Sequence, residues 1–194
     1  QGRYPAAADY DKDGISDFAA VGDRKGSLEW NIRLSTTGAT ATSSLGNSGD
    51  TLISGCTFAA NKGASLAVFK SEQRTLQFKN LGDASARTVQ LKNLGSCNIV
   101  GCGDTDGDGV DELLFSTRAS DNRVRIVGYD MTGERKFESK YNQFVRGFVV
   151  DRPNSPVPLV AILGGTLGQG RQIRITTMAG SFAFPRFFVD LSLI

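Results

Sequence analysis

Asp104-Thr105-Asp106-Gly107-Asp108-Gly109-Val110-Asp111-Glu112 has a counterpart near the start of the chain, Asp9-Tyr10-Asp11-Lys12-Asp13-Gly14-Ile15-Ser16-Asp17. Both copies place carboxylates at positions 1, 3 and 5, glycine at 6 and a carboxylate at 9. So much like charge on nine residues repels itself until a cation neutralises it, and a hard ion that accepts six to eight oxygens suits such a loop. Glycine at position 6 permits the sharp turn that folds the chain around the ion. The loops therefore predict two calcium sites. Asp9, Asp11, Asp13, Ile15 and Asp17 form the first, and Asp104, Asp106, Asp108, Val110 and Glu112 the second.

An EF-hand loop closes with a bidentate glutamate at position 12 and lies between helices. Here position 12 is Ala20 in one copy and Phe115 in the other. The runs Phe18-Ala19-Ala20-Val21 and Leu113-Leu114-Phe115 are short, apolar and bounded by polar residues, which predicts buried strands. An acidic loop of this form entering a strand resembles the FG-GAP/VCBS repeat, the calcium-loop blade unit of integrin-type β-propellers. The resemblance covers nearly the whole chain, although its specific residues occur only in the first and third units. It implies that each ion sits in the turn between the first two strands of a blade and braces that turn.

The repeat extends beyond the acidic copies. Ile53 to Phe69 aligns with Ile99 to Phe115 without a gap, placing Cys56 on Cys102, Gly63 on Gly109 and Phe69 on Phe115. This second unit keeps the frame and loses every carboxylate. A fourth unit, from Asp151 to Leu163, retains the first aspartate and the apolar strand. Loop starts thus fall at 9, 58, 104 and 151. A second landmark recurs in phase: Trp30, Phe78, Ile126 and Ile175 each stand in a stretch that alternates apolar with polar residues, the period of a half-buried strand.

Each unit reads as four strands. The first leads into the loop (4–8, 52–56, 98–102, 144–150) and the second leaves it (18–21, 66–69, 113–115, 159–163). The alternating strand is third (28–34, 76–78, 124–126, 173–175), and an outer strand follows (39–44, 87–91, 135–139, 181–184). Four strands per roughly 47 residues is a propeller blade. The expected fold is an all-β propeller in one domain over residues 1–194, with blades near 1–50, 51–96, 97–143 and 144–194. Integrin-type members have more blades, so these four either close as a ring or belong to a larger one. The apolar tail 187–194 suits a strand that seals the ring or begins a further blade.

Charge and composition narrow the function. Of the 20 acids nine lie in the two loops, leaving 11 against 21 Lys and Arg elsewhere. Two bound calcium ions would raise the formal charge from +2 to +6, a mildly basic surface that suits anionic partners or simple solubility. There is no histidine, which removes the commonest general base and zinc ligand. A serine triad cannot be built without it. Gly165 to Arg171 resembles a phosphate-binding loop, yet arginine replaces the lysine, Gln172 follows, and Ile173-Arg174-Ile175 continues as a strand where a helix must start. A glycine-rich turn accounts for it better. No basic run carries interleaved aromatics, so nucleic acid is not an expected partner.

Three cysteines are present, Cys56, Cys97 and Cys102. Cys56 and Cys102 occupy equivalent repeat positions, where they either bridge or act as small buried hydrophobes. No apolar stretch is long enough to cross a bilayer, and the chain begins at Gln1, which implies an upstream segment removed by processing or design. The expectation is a secreted or cell-surface, calcium-stabilised, non-catalytic binding or adhesion module for a protein or glycan. The alternatives are a structural protomer of a surface filament, layer or larger complex, and an accessory domain of a carbohydrate-active enzyme.

Overall fold

Alternation of apolar and polar residues writes strands, and strands are what form. The computed structural model describes residues 3–118, 124–141, 146–150, 159–164 and 172–177. Among them there are strands and turns and no helix. The first sheet comprises β1 (Arg3–Pro5), β2 (Phe18–Arg24), β3 (Ser27–Arg33) and β4 (Thr40–Asn47). The second comprises β5 (Thr51–Ile53), β6 (Leu66–Lys70), β7 (Thr75–Lys79) and β8 (Arg87–Gln90). The third comprises β9 (Cys97–Gly103), β10 (Glu112–Arg118), β11 (Val124–Tyr129) and β12 (Arg135–Tyr141). A three-stranded sheet follows, from β13 (Arg146–Val150), β14 (Leu159–Gly164) and β15 (Gln172–Thr177). Every sheet is an antiparallel meander with strands in chain order.

Fifteen of the sixteen expected strands are thus present, with ends shifted by a few residues. The outer strand expected at 181–184, the fourth loop 151–158, the glycine-rich run 165–171 and the tail 187–194 lie outside the described residues. The backbone divides into two compact units, Gln1–Lys92 with Met131–Gly133, and Asn93–Asp130 with Glu134–Ile194.

In the first unit the sheets stack through an apolar layer. Val21, Leu28, Trp30 and Ile32 of the first sheet pack with Ala64, Leu66 and Val68 of the second, all buried. The Trp30 indole donates to the Leu45 carbonyl at 3.0 Å, so burying this large ring leaves no donor unpaired. Gly46 lets the layers close up, since a β-carbon there would stand 2.8 Å from Val68 Cγ1. The β2–β3 hairpin turns on Lys25 and Gly26, both at positive φ (57° and 87°), the conformation a two-residue hairpin requires. In the second unit, β10 is buried from Glu112 to Ser116, and Phe115 meets the Tyr129 ring edge-on at 6.0 Å.

One expectation fails in part. Leu66 to Phe69 and Leu113 to Phe115 are buried strands, but Phe18 is 74% exposed and Ala19 and Ala20 are only half-buried. The register explains the difference. Phe18 and Ala20 face the same side as their partners Arg33 and Asn31, whereas Val21 shares the packed side with Trp30. A run of apolar residues fixes a strand but not whether both of its faces find cover.

The gapless alignment of the second and third units also meets a limit. Leu113 pairs with Cys102, whereas its counterpart Ala67 pairs with Ile53 rather than Cys56. Without a carboxylate at loop position 9, where Leu66 stands, the second loop closes differently. The Ser65 hydroxyl accepts the Phe58 N–H at 3.1 Å. Cys97 carries a thiol.

Candidate metal centre

Position 1 of each acidic loop gathers the turn around itself. Asp9 accepts the N–H groups of Asp13 (3.1 Å) and Gly14 (2.9 Å). Asp104 accepts those of Gly107 (2.7 Å), Asp108 (3.2 Å) and Gly109 (2.9 Å). Position 5 then accepts the N–H of position 7 at 2.8 Å, Ile15 to Asp13 and Val110 to Asp108. Positions 4 and 6 are left-handed in both copies: Lys12 and Gly14 at φ 64° and 86°, Gly107 and Gly109 at 85° and 81°. Glycine is the natural occupant of that region, and only Lys12 departs from it.

The consequence is a carboxylate triad in each loop. Asp9, Asp11 and Asp13 bring one oxygen each to within 4.8 Å of one another, and so do Asp104, Asp106 and Asp108. Each pair of unit charges at that range repels by about 1 kcal/mol in water and more where water is partly excluded. The donor set is all hard oxygen, which fits a divalent cation such as calcium and not a thiolate-seeking metal. Ile15 and Val110 have apolar side chains, so only their main-chain carbonyls are available as ligands.

Asp17 and Glu112, at position 9, stand outside these triads and pin the loop shut. Asp17 is buried and accepts the N–H of Tyr10 at 2.8 Å through one oxygen and that of Ser35 at 2.8 Å through the other. Glu112, equally buried, accepts the N–H of Thr105 at 2.7 Å and also the Thr105 hydroxyl. In both copies position 9 therefore grips position 2.

The electrostatics follow from these contacts. The Thr36 hydroxyl and then the Ile15 N–H hold the Asp13 carboxyl below the usual carboxylate range. Asp11 is pushed up, first by desolvation and then by the negative Asp13 and Asp17. Burial raises the Glu112 carboxyl, against the opposing hydrogen bonds from Thr105. Burial and the Asp17 charge likewise raise the Tyr10 phenol, which donates to the Ala6 carbonyl at 2.5 Å.

Sequence reasoning missed the first loop's supports. Ser35 and Thr36, from the β3–β4 turn, reach across to Asp17, to the Ser16 carbonyl (2.6 Å from Ser35 Oγ) and to Asp13. Ala64, from the carboxylate-free loop of the second sheet, donates its N–H to the Asp9 carbonyl at 2.6 Å. These residues lie far from the loop in the chain, and no spacing announces them.

No family model matches the chain, and neither a curated protein nor a solved structure matches it.

Proposed function

We propose that the chain is a calcium-stabilised β-propeller that serves outside the cell or at its surface as a non-catalytic binding or adhesion module. One observation carries this reading: two loops from different repeats build the same scaffold around a carboxylate triad, with position 9 tied to the N–H of position 2. A scaffold that concentrates negative charge while shaping its own backbone supports an ion with a structural task, because binding and loop order are then coupled. The ligands assigned are Asp9, Asp11, Asp13 and Asp17 with the Ile15 carbonyl, and Asp104, Asp106, Asp108 and Glu112 with the Val110 carbonyl. The serial four-strand meanders support blades, as does β9 lying beside β13, the first strands of successive sheets.

Isothermal titration of the metal-stripped protein with calcium tests the reading. Two equivalents are expected to bind, and D11N and D106N each remove one. Absence of heat or of any saturable signal at millimolar calcium overturns it.

A second reading, a structural protomer of a larger assembly, draws on the open face of the first sheet, where Phe18 is 74% exposed. Polymers or stable oligomers in size-exclusion chromatography favour it, and a monodisperse monomer does not.

A further inference from the structure

A cleft of about 400 Å³ in the first unit is lined by β1, the β2–β3 hairpin, the turn between β4 and β5, and β5 itself. That volume falls in the lower part of the range for small-molecule sites, roughly 300 to 1,000 Å³. Its apolar floor is Leu28 and Leu52, and its walls are Tyr4, Asp23, Ser48 and Asp50. Tyr4 is 60% exposed, an aromatic side chain left open at the mouth. Asp50 is fixed from behind, because Oδ2 accepts the Asn47 N–H at 2.8 Å and lies 3.8 Å from Lys70 Nζ. Asp23 accepts the Gly26 N–H at 2.8 Å through Oδ1, and the Ser48 hydroxyl and then that N–H hold its carboxyl below the usual carboxylate range.

We propose that this cleft binds a neutral pyranose sugar, stacked on Tyr4 and hydrogen-bonded through its hydroxyls to Asp50 and Asp23. The proposal rests on the binding-module reading and names its ligand class. A sugar ring presents a C–H face to an aromatic ring and vicinal hydroxyls that donate to oriented carboxylates, which are the groups the cleft supplies. An organic cation fits less well. Lys70 already partly neutralises Asp50, and Asp23 is engaged by two donors, so a guanidinium would meet carboxylates whose charge is largely spoken for.

Amide NMR shifts in the calcium-loaded chain, titrated with the methyl glycosides of glucose, galactose and mannose to millimolar concentration, test the proposal. Saturable shifts confined to Tyr4, Asp23, Leu28, Ser48, Gly49, Asp50 and Leu52 are expected for at least one glycoside. Tyr4→Ala should weaken binding at least about tenfold with the melting temperature unchanged, and Asp50→Asn should weaken it while keeping an acceptor for Asn47. No shifts with any of the three, or equal binding by Tyr4→Ala, overturns the proposal. So does saturable binding of N-acetylarginine amide at the same residues in place of the sugars. A chelator scan on the same sample separates the two readings: if chelation lowers the melting temperature and no glycoside binds, only the sugar proposal falls.

Discussion

Gly63 stands against Tyr10 with no space for a side chain: a β-carbon there would lie 2.5 Å from the Tyr10 carbonyl oxygen and 2.8 Å from that of Asp9. The turn without carboxylates supports the one that carries them, and Ala64 completes the contact through the Asp9 carbonyl. Gly63→Ala should therefore push the first acidic loop out of place. A cost of about 1–3 kcal/mol is expected from the collision, read as a fall in the urea midpoint with an unchanged slope. An unaltered midpoint would show that the two loops do not bear on each other.

Lys12 holds a left-handed backbone, φ 64°, where the third unit uses Gly107. Lys12→Gly should remove a steric cost of roughly 1–2 kcal/mol, offset in part by the greater freedom of the unfolded glycine. A modest rise in the melting temperature of the metal-free protein is expected, together with tighter calcium binding once a positive charge leaves the loop. Thermal melts and calcium titrations of the variant check both.

Much of this was legible before any coordinates. Period-two alternation around Trp30, Phe78 and Ile126 marked the third strands, and all three side chains are buried. The acidic spacing marked the turns and the residues that crowd in them. What escaped was long-range. Nothing near Asp13 in sequence points to Thr36, and nothing near Asp9 points to Ala64, because such contacts depend on how one hairpin or sheet meets another. Phe18 escaped for a related reason: hydrophobicity fixed its strand, while its exposure depends on which face of the sheet the register assigns to it.

Asp17 and Asp11 should behave differently when the metal is removed. Asp17 satisfies two N–H groups, those of Tyr10 and Ser35, whereas Asp11 is exposed and its charge is opposed by its neighbours. In chelator, Asp17→Ala is expected to cost about 2–3 kcal/mol because buried donors are left unpaired, and Asp11→Ala to be neutral or slightly stabilising. In saturating calcium both variants should lose the metal-dependent part of their stability. Chemical denaturation of each variant under the two conditions separates the roles. Equal losses in chelator would mean that Asp17 does not pin the loop.

The proposed calcium ions are the centre of the account, and differential scanning calorimetry of the chain with calcium and with excess chelator addresses them most directly. At free calcium about a hundred times the dissociation constant, each site should add about 2.7 kcal/mol, or roughly 5–10 °C for a chain of this size. Asp108→Ala should lose part of that increment, and Glu72→Ala, which belongs to neither loop, none of it. A melting temperature that chelator leaves unchanged would contradict the account.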